Sequence, residues 1–283
     1  MIKERCALKF GCCSLGALGG RQMNYTAWVV SAVVLCFGSA SQAQNSSERG
    51  WEITVSPYVW AKSMEGKIQG ASLSSPVHVP FSEAFDKVEG VFMGEISVDG
   101  PRWGGYVDYQ GTDSRDERRV MGLPLEADIR LRSLTGAIYY VAHQEELGGK
   151  TVHDEPRIFR IRPLVGARWS RARADIAVPG LVGTGKQAEW TDVIAGVRTD
   201  TDIDARWKLT GHLDLGGFDP GERFSLNAHA SLGYRTSLLR RPALLRVGYA
   251  VLFQEYEQVD FTGDRFVWNM TGHGPTAGVS ITF

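Results

Sequence analysis

The chain has few cysteines, and none after its first forty residues. The cysteines are Cys6, Cys12, Cys13 and Cys36. If the N-terminal region is removed, the mature chain has no thiol, so it can form no disulfide and offers no thiolate nucleophile or sulfur metal ligand. Such a chain suits passage through an oxidising periplasm in an unfolded state.

The chain also lacks a second long apolar run and a large net charge. After the first forty residues, no stretch approaches the roughly twenty apolar residues that a membrane-spanning helix needs. The formal net charge of the 283 residues is −1, so whole-chain electrostatics gives no support for a nucleic-acid or polyanionic partner. The composition therefore argues against a helical membrane protein and predicts no nucleic-acid binding.

The N-terminal region has the pattern of a secretory signal. Residues 26–38 read TAWVVSAVVLCFG, and the small-residue segment SASQAQN follows. The first segment is typical of an apolar signal core and the second of a cleavage region. Because Ser41 and Ala43 fit the small-x-small rule, we predict a signal peptide at 1–43, starting at Met1 or Met23. A linker at 44–50 and a mature domain at 51–283 complete the predicted organisation.

The mature chain alternates between apolar and polar residues with period two. At the C-terminus, Pro275, Ala277, Val279, Ile281 and Phe283 alternate with small uncharged residues. Strands with two different faces produce this pattern. The outer face of a soluble sandwich would carry Lys and Glu, which this strand lacks. Similar alternation recurs at 206–217, 224–235 and 245–254.

Weaker alternating segments bring the expected number of strands to about ten. They lie at 51–61, 89–99, 102–110, 128–142, 158–173 and 189–200. The fold prediction is all-β: a single antiparallel transmembrane β-barrel of about ten strands, with eight or twelve as alternatives. An extra hairpin within 62–88 would give twelve.

Connection lengths predict which end of the barrel faces the periplasm, because such barrels have short periplasmic turns and longer external loops. Counted back from a periplasmic C-terminus, the periplasmic connections include 99–102, 200–205 and 237–242. A longer connection at 143–156 falls on the same side. The predicted external loops are 62–88, 111–126, 175–188 and 257–271.

Several short motifs resemble a proteobacterial family of outer-membrane β-barrel proteins that are uncharacterised or porin-like. They are SPYVWA near the mature N-terminus, GGFD, LGYR, VGYAVL and the closing HGPTAGVSITF. The resemblance implies that Phe283 is recognised by the barrel-assembly machinery. It implies no activity. An outer-membrane location would add outer-membrane lipid and lipopolysaccharide as partners.

In such a barrel the charged parity of each strand should face the lumen. The predicted lumen residues are Glu52, Glu95, Asp108, Arg130, Arg132, Arg160, Arg162, Arg168, Asp192, Arg198, Lys208, His212, Asp214, His229, Arg235 and Arg246. A barrel of about ten strands is narrow, so these side chains could meet across it.

Projected hairpin registers gather charges near the periplasmic mouth. In these registers Arg235 faces both Arg206 and Arg246, Arg198 lies beside Arg206, and Arg162 lies beside Asp200. Glu52, Asp99 and Asp200 are the nearby acids. Two interpretations stay open: a constriction that favours anions, or a salt-bridged plug that rigidifies the barrel.

His212 and His229 should face each other in the lumen, with Asp192 near His212. A metal site would need a third ligand, which the pattern does not supply, so the prediction is a hydrogen-bonded pair without metal or cofactor. His229 and Ser231 form an H-x-S pair similar to that of outer-membrane lipid A deacylases. The alternation points this pair inward, away from lipid, so no catalytic residue is predicted.

The leading prediction of function is passive: a narrow pore for small ions or solutes, or a structural and surface-exposed barrel. The alternatives are an enzyme that modifies envelope lipid and a soluble periplasmic lipocalin-like binder, which would need charged outer faces. Aromatic residues near strand ends predict interfacial girdles. The residues expected to face lipid are Leu209, Leu213, Leu226, Leu232, Val247, Val251 and Ile281.

Overall fold

The computed structural model describes residues 50–70, 73–79, 88–120, 123–177, 184–219, 223–259 and 265–283. The predicted signal peptide and residues 44–49 of the predicted linker lie outside this part of the chain. Among these described residues, the elements of secondary structure are all β-strands. Within the same residues, no helix is long and apolar enough to cross a membrane.

The described residues form thirteen strands. In chain order they are β1 (Glu52–Trp60), β2 (Ser63–Gly70), β3 (Leu73–Val79), β4 (Val88–Asp99), β5 (Trp103–Val120), β6 (Leu123–Tyr140), β7 (His143–Lys150), β8 (Pro156–Ala177), β9 (Thr184–Asp202), β10 (Trp207–Asp219), β11 (Arg223–Leu238), β12 (Arg241–Val259) and β13 (Arg265–Thr282).

Ten of these strands close into an antiparallel barrel, as the alternation predicts. Their order is β1, β4, β5, β6, β8, β9, β10, β11, β12 and β13, and β13 pairs back onto β1. Following paired residues once around from Thr54 leads to Met270, whereas Thr54 itself pairs with Thr282, twelve residues further on. With a rise of about 3.3 Å per residue and strands about 4.8 Å apart, this displacement corresponds to a strand tilt of about 40°.

Three strands lie outside the closed ring. β2 and β3 form a hairpin, and β2 pairs with the first half of β13. The predicted external loop at 62–88 therefore contains strands, but they extend the wall without becoming an eleventh and twelfth member of the ring. β7 pairs with the beginning of β8 within the predicted connection at 143–156. We call the end that holds Phe283 the lower end, and β7 lies there.

The ring strands extend further than predicted. β5 and β6 form a continuous ladder from Trp103 and Tyr140 to Val120 and Leu123, so the predicted loop at 111–126 is mostly strand. This charged segment shows no apolar alternation, so its sequence did not predict the ladder. Backbone hydrogen bonds hold the hairpin together there without an apolar face. The ladder between β10 and β11 is interrupted by a register shift at the GGFD motif. Gly217 there has φ +79°, and a Cβ would lie 2.5 Å from the carbonyl oxygen of Arg223.

The outer surface of the barrel carries an apolar band between two sets of aromatic pairs. The residues expected to face lipid all lie on this surface, and Val247 is 61% exposed. Lower pairs are Trp103 with Tyr140 and Trp207 with Tyr234; upper pairs are Phe92 with Tyr109 and Phe224 with Phe253. An apolar band flanked by aromatic girdles is typical of transmembrane β-barrels.

Two arginines predicted in the lumen lie on the outer surface. The lumen side of β6 carries Thr135, Ala137 and Tyr139, all buried, so Arg130 and Arg132 have the opposite parity. The prediction for them was wrong because it applied the rule that charges face inward along the entire strand. That rule holds only within the apolar band, and both arginines lie beyond it, above Leu134.

Candidate functional site

The lumen holds a cavity of about 370 Å³ that all ten ring strands line. It extends from residues at the lower strand ends, such as Glu52 and Thr282, to Trp60 and Leu252 further up. Nine of its lining residues form, together with Asp214, a network of charged and polar side chains, which we call the ion layer. The members of the ion layer are Glu95, Asp99, Arg162, Arg168, Arg198, Asp200, Asp202, His212, Asp214 and Arg235.

An ion pair between Arg198 and Glu95 crosses the lumen. Arg198 lies on β9 and Glu95 on β4, and three strands separate them along the shorter path around the ring. The Nη2 group of Arg198 contacts one carboxylate oxygen of Glu95, and Nη1 donates to the other at 3.3 Å. The guanidinium also lies 3.8 Å from the ring centre of Tyr106. This pair therefore ties opposite parts of the wall together.

Asp214 is the most buried charge of the network, with no exposed surface. Its carboxylate accepts hydrogen bonds from Arg168 at 2.7 and 2.8 Å and from Asn227 at 2.8 Å. Gly196 stands opposite Asp214, and a Cβ at Gly196 would lie 2.7 Å from the Asp214 Cα. The sequence thus leaves room for this carboxylate by placing a glycine on the neighbouring strand.

His212 links these two parts of the ion layer. Its Nδ1 accepts a hydrogen bond from Nε of Arg198 at 3.0 Å, so the ring proton resides on Nε2 and is donated to Asp214 at 2.7 Å. A neutral imidazole can take this arrangement only with that tautomer. Glu95, Arg198, His212, Asp214 and Arg168 therefore form one continuous chain of contacts.

In the lower part of the ion layer, the ion pairs join strands that are closer together in the ring than β4 and β9 are. Arg162 donates to Asp99 at 2.8 Å and also contacts Asp200. Lys208 lies 3.3 Å from the other oxygen of Asp200, and Arg235 pairs with Asp202 two strands away. Each of the carboxylates Asp99, Asp200 and Asp202 thus has a cationic partner.

The predicted charge cluster is therefore only partly assembled as expected. Arg162, Asp99 and Asp200 do come together. Arg206 is exposed at the lower rim and donates to the hydroxyl of Tyr234 at 3.2 Å, while Glu52 is an exposed residue of the cavity wall. Among the described residues, Arg246 has no ion pair, although it also lines the cavity.

Three of the projected registers were wrong. Arg235 stands opposite Leu244, and Arg246 stands opposite Gly233, because the β11–β12 hairpin turns tightly at residues 239–240. Arg198 stands opposite His212 instead of lying beside Arg206, since β9 continues to Asp202 before the chain turns. Arg162 stands opposite Arg198, although its side chain still reaches Asp200. The strand predicted at 189–200 ends before Asp202, so Asp202 was not predicted as a lumen residue.

The histidine pair lies in register as predicted, with His212 directly opposite His229. The two rings have different partners, however, since His229 Nε2 contacts Thr276 Oγ1 at 3.0 Å. The expected proximity of Asp192 to His212 was wrong, because Asp192 stands opposite Arg168. Ser231 contacts Thr210 at 2.6 Å. Across the described part of the chain, no group of three His, Asp or Glu residues is arranged to hold a metal ion.

A cluster of buried apolar side chains lies in the upper half of the lumen. Trp190 stacks on Tyr256 with ring centres 4.8 Å apart and contacts Trp268 at 6.1 Å. Met270 and Ala172 pack against them. We call these five residues the aromatic cap. The sequence analysis did not predict the aromatic cap, because it assigned aromatic residues near strand ends to an outer girdle. The even parity of Trp190, Trp268 and Met270 places these side chains inside the lumen.

A much smaller cavity, of about 50 Å³, adjoins the cap. Trp190, Trp268 and Met270 line it on one side, and Gln110, Ser133 and Leu252 are shared with the large cavity below. A hydrogen bond of 3.1 Å from Gln254 to Ser170 crosses the lumen at this level.

Phe283 ends the chain at the lower rim. Its backbone N–H donates to the carbonyl of Ile53 at 2.9 Å, which ties the end of β13 to β1 at the seam of the barrel. The side chain is 43% exposed on the outer surface, and the guanidinium of Arg241 lies 5.7 Å from its ring centre. The terminal ring is therefore accessible from outside the barrel.

No protein-family model matches the chain, and no curated protein matches it in sequence. Among solved structures it is similar to the outer-membrane protease OmpT of Escherichia coli, with a TM-score of 0.52, 11% identity, and coverage of 85% of this chain and 99% of that one. Weaker likenesses are Ail of Yersinia pestis (TM-score 0.36, 9% identity, 84% and 100% covered) and neisserial surface protein A (0.32, 15%, 84% and 100%). The closed ten-strand ring and the likeness to OmpT together identify the fold as that of an outer-membrane β-barrel.

Proposed function

We propose that the protein is an integral outer-membrane barrel whose lumen is closed, with a structural or surface-exposed role and no open pore. The observation that carries this proposal is the ion pair between Arg198 and Glu95, which bridges the lumen. The aromatic cap supports the same interpretation, because its packed side chains occupy the lumen at the other end. A charged interior without this bridging would instead favour an ion pathway.

A narrow pore for small ions is the second candidate, and the 370 Å³ cavity favours it. Conductance across planar lipid bilayers separates the two. The closed barrel should give no resolved conductance steps, and neither should Arg235→Glu, which would instead destabilise the barrel by opposing Asp202. Steady ion-selective steps in the wild type, with selectivity shifted towards cations by Arg235→Glu, would establish the pore and overturn the closed barrel.

We also propose export through the signal peptide at 1–43, with cleavage after Ala43, followed by insertion in the outer membrane. Support comes from the apolar outer band, which a water-soluble lipocalin-like binder would expose at a large cost. N-terminal sequencing of the protein from the outer-membrane fraction tests cleavage and location together. A protein recovered in the soluble periplasm would favour the lipocalin-like alternative.

Recognition by the barrel-assembly machinery is proposed to involve Phe283. Its ring is exposed at the seam between the first and last strands, where a partner protein could reach it. Removing Phe283 should lower the yield of heat-modifiable protein in the outer membrane while export continues. The Phe283→Tyr variant keeps an aromatic terminus and should assemble normally, so equal yields for all three proteins would contradict this role.

We propose no enzymatic activity. The His229 and Ser231 side chains line the lumen cavity and have hydrogen-bond partners in Thr276 and Thr210, and a lipid substrate would approach from outside. The deacylase alternative predicts loss of acyl chains from lipid A in cells that express the protein. Mass spectrometry of lipid A, compared with a Ser231→Ala strain, tests it.

A further inference from the structure

Four arginines form a compact block on the outer surface, at the upper edge of the apolar band. Arg130 stands directly opposite Arg173, and Arg132 stands directly opposite Arg171, on the adjacent strands β6 and β8. Like charges in such positions repel each other and destabilise a sheet. Acids on the same outer face offset this repulsion, but they leave several guanidinium N–H groups exposed, which an additional anionic partner could bind.

Three acids contact the arginines, and Asp128 lies on the same face of β6, two residues from Arg130. Arg132 makes a two-pronged contact with Asp113 at 2.7 and 2.8 Å. Arg171 donates to Glu189 at 2.7 and 2.9 Å, and Arg173 donates to Asp175 at 2.7 Å. Asp113 lies on β5, Glu189 on β9, and Asp175 above Arg173 on β8. The acids therefore flank the block on three sides, and its fourth side faces the apolar band.

Several guanidinium groups of the block remain available to a ligand. Arg130 is exposed and has no ion pair among the described residues. The Nη1 group of Arg171 and both terminal nitrogens of Arg173 have no hydrogen bond there, whereas both terminal nitrogens of Arg132 are engaged, with Asp113 and two carbonyl oxygens. Arg130, Arg171 and Arg173 are thus the donors that a ligand could use, with Arg132 in a positioning role.

The position of the block indicates where the ligand comes from. Directly below Arg171 on the same face lies Trp169, whose indole N–H donates to Glu189 at 2.8 Å and whose ring lies 5.1 Å from the Arg171 guanidinium. Next below are Ala167 and the half-exposed Val165 of the apolar band. Tryptophan marks the boundary between hydrocarbon and headgroups in membrane proteins. The arginines beyond it therefore lie at headgroup height.

We propose that Arg130, Arg171 and Arg173 bind the phosphate groups of a phosphorylated glycolipid in the outer leaflet. Guanidinium groups recognise phosphate through paired, charge-assisted hydrogen bonds. A lipid fits better than free phosphate, because its acyl chains would lie against the apolar band directly beneath its headgroup. This inference rests on the proposed outer-membrane location but not on the closed lumen.

Titration of the detergent-folded barrel with purified lipopolysaccharide tests the site. Arg130→Gln/Arg173→Gln should weaken binding at least about tenfold. The matched control, Arg102→Gln/Arg240→Gln, removes two exposed arginines at the lower end and should bind as the wild type does. Lipopolysaccharide stripped of its lipid A phosphates should bind the wild type as weakly as the intact lipid binds the double variant. Heat modifiability on gels verifies that each protein is folded.

Each remaining outcome decides against a defined part of the proposal. Equal affinity of the wild type and Arg130→Gln/Arg173→Gln would overturn the arginine site. Competition by millimolar inorganic phosphate would show that free phosphate is the ligand, and it would overturn the assignment to lipid. Cell fractionation distinguishes a wrong location from a wrong site. If the wild-type protein is absent from the outer membrane, both the location and the arginine site are overturned. If it is present there and the double variant binds lipid as the wild type does, only the arginine site is overturned.

Discussion

The two halves of the lumen are bridged by side chains of opposite chemistry. The ion layer joins strands through charges, each of which depends on an oppositely charged partner at a fixed position. The aromatic cap joins strands through contact between apolar surfaces, which tolerates small displacements. The difference teaches that a charged barrel interior is no evidence for an open channel, because arginine and carboxylate side chains are long enough to meet across the lumen of a ten-strand ring.

The largest effect is expected at the centre of the ion layer. Asp214→Asn would leave the guanidinium of Arg168, which is 3% exposed, without its carboxylate. Removing one partner of a buried ion pair destabilises proteins by about 3–5 kcal/mol. Urea unfolding from lipid vesicles measures this cost. Asp154→Asn, which removes an exposed pair with Lys150, should cost less than about 1 kcal/mol, and equal costs would contradict the importance of burial.

A somewhat smaller effect is expected in the aromatic cap. Met270 is 3% exposed and packs against Trp190 and Trp268. Met270→Ala should lower the free energy of unfolding by about 2–4 kcal/mol, through lost contact and the cavity that remains. Met270→Leu keeps the volume and should cost less than about 1.5 kcal/mol. If both substitutions cost the same, the cap does not depend on packed volume and the comparison between the halves fails.

Sequence patterns predict the ring well, because each strand within the apolar band must separate lipid from lumen. The alternation at 206–217, 224–235 and 245–254 identifies the outward residues, and the strand count follows. The network inside is harder to predict. A register error of two residues keeps every side chain on its correct face, so alternation cannot reveal whether Arg246 faces Arg235 or Gly233.

Beyond the apolar band the patterns lose their physical basis. Arg130 and Arg132 were placed in the lumen because charges are excluded from lipid, but headgroups and water impose no such exclusion. Sequence reasoning could have found the outward block by following parity from Tyr139 and Ala137 upward along β6. The aromatic cap could have been found in the same way, from the parity that Trp190 shares with Asp192 and Arg198.

The rim of the ion layer should be much less sensitive than its centre. Lys208 is about one quarter exposed and supplements Arg162 as a partner of Asp200. Lys208→Gln leaves Asp200 paired with Arg162, so the expected cost is at most about 1 kcal/mol, discounted for solvent screening. The measurement is again urea unfolding. A cost as large as that of Asp214→Asn would show that the rim and centre form one cooperative unit.

The smallest effect is expected below both halves, in the turn between β9 and β10, where water competes with every contact. One carboxylate oxygen of Asp204 accepts hydrogen bonds from the backbone N–H groups of Arg206 and Trp207, at 2.6 and 2.8 Å. These bonds lower the pKa of Asp204 below its ordinary value of 3.8. The resulting stabilisation is fully present above the pKa of the unfolded chain and disappears as the pH falls through the lower pKa of the folded protein. Asp204→Asn removes the charge, so the difference in urea midpoint between wild type and variant should be small at pH 7 and should shrink on acidification below the usual aspartate range. A difference that stays constant or grows on acidification would show that the charge of Asp204 does not stabilise the turn.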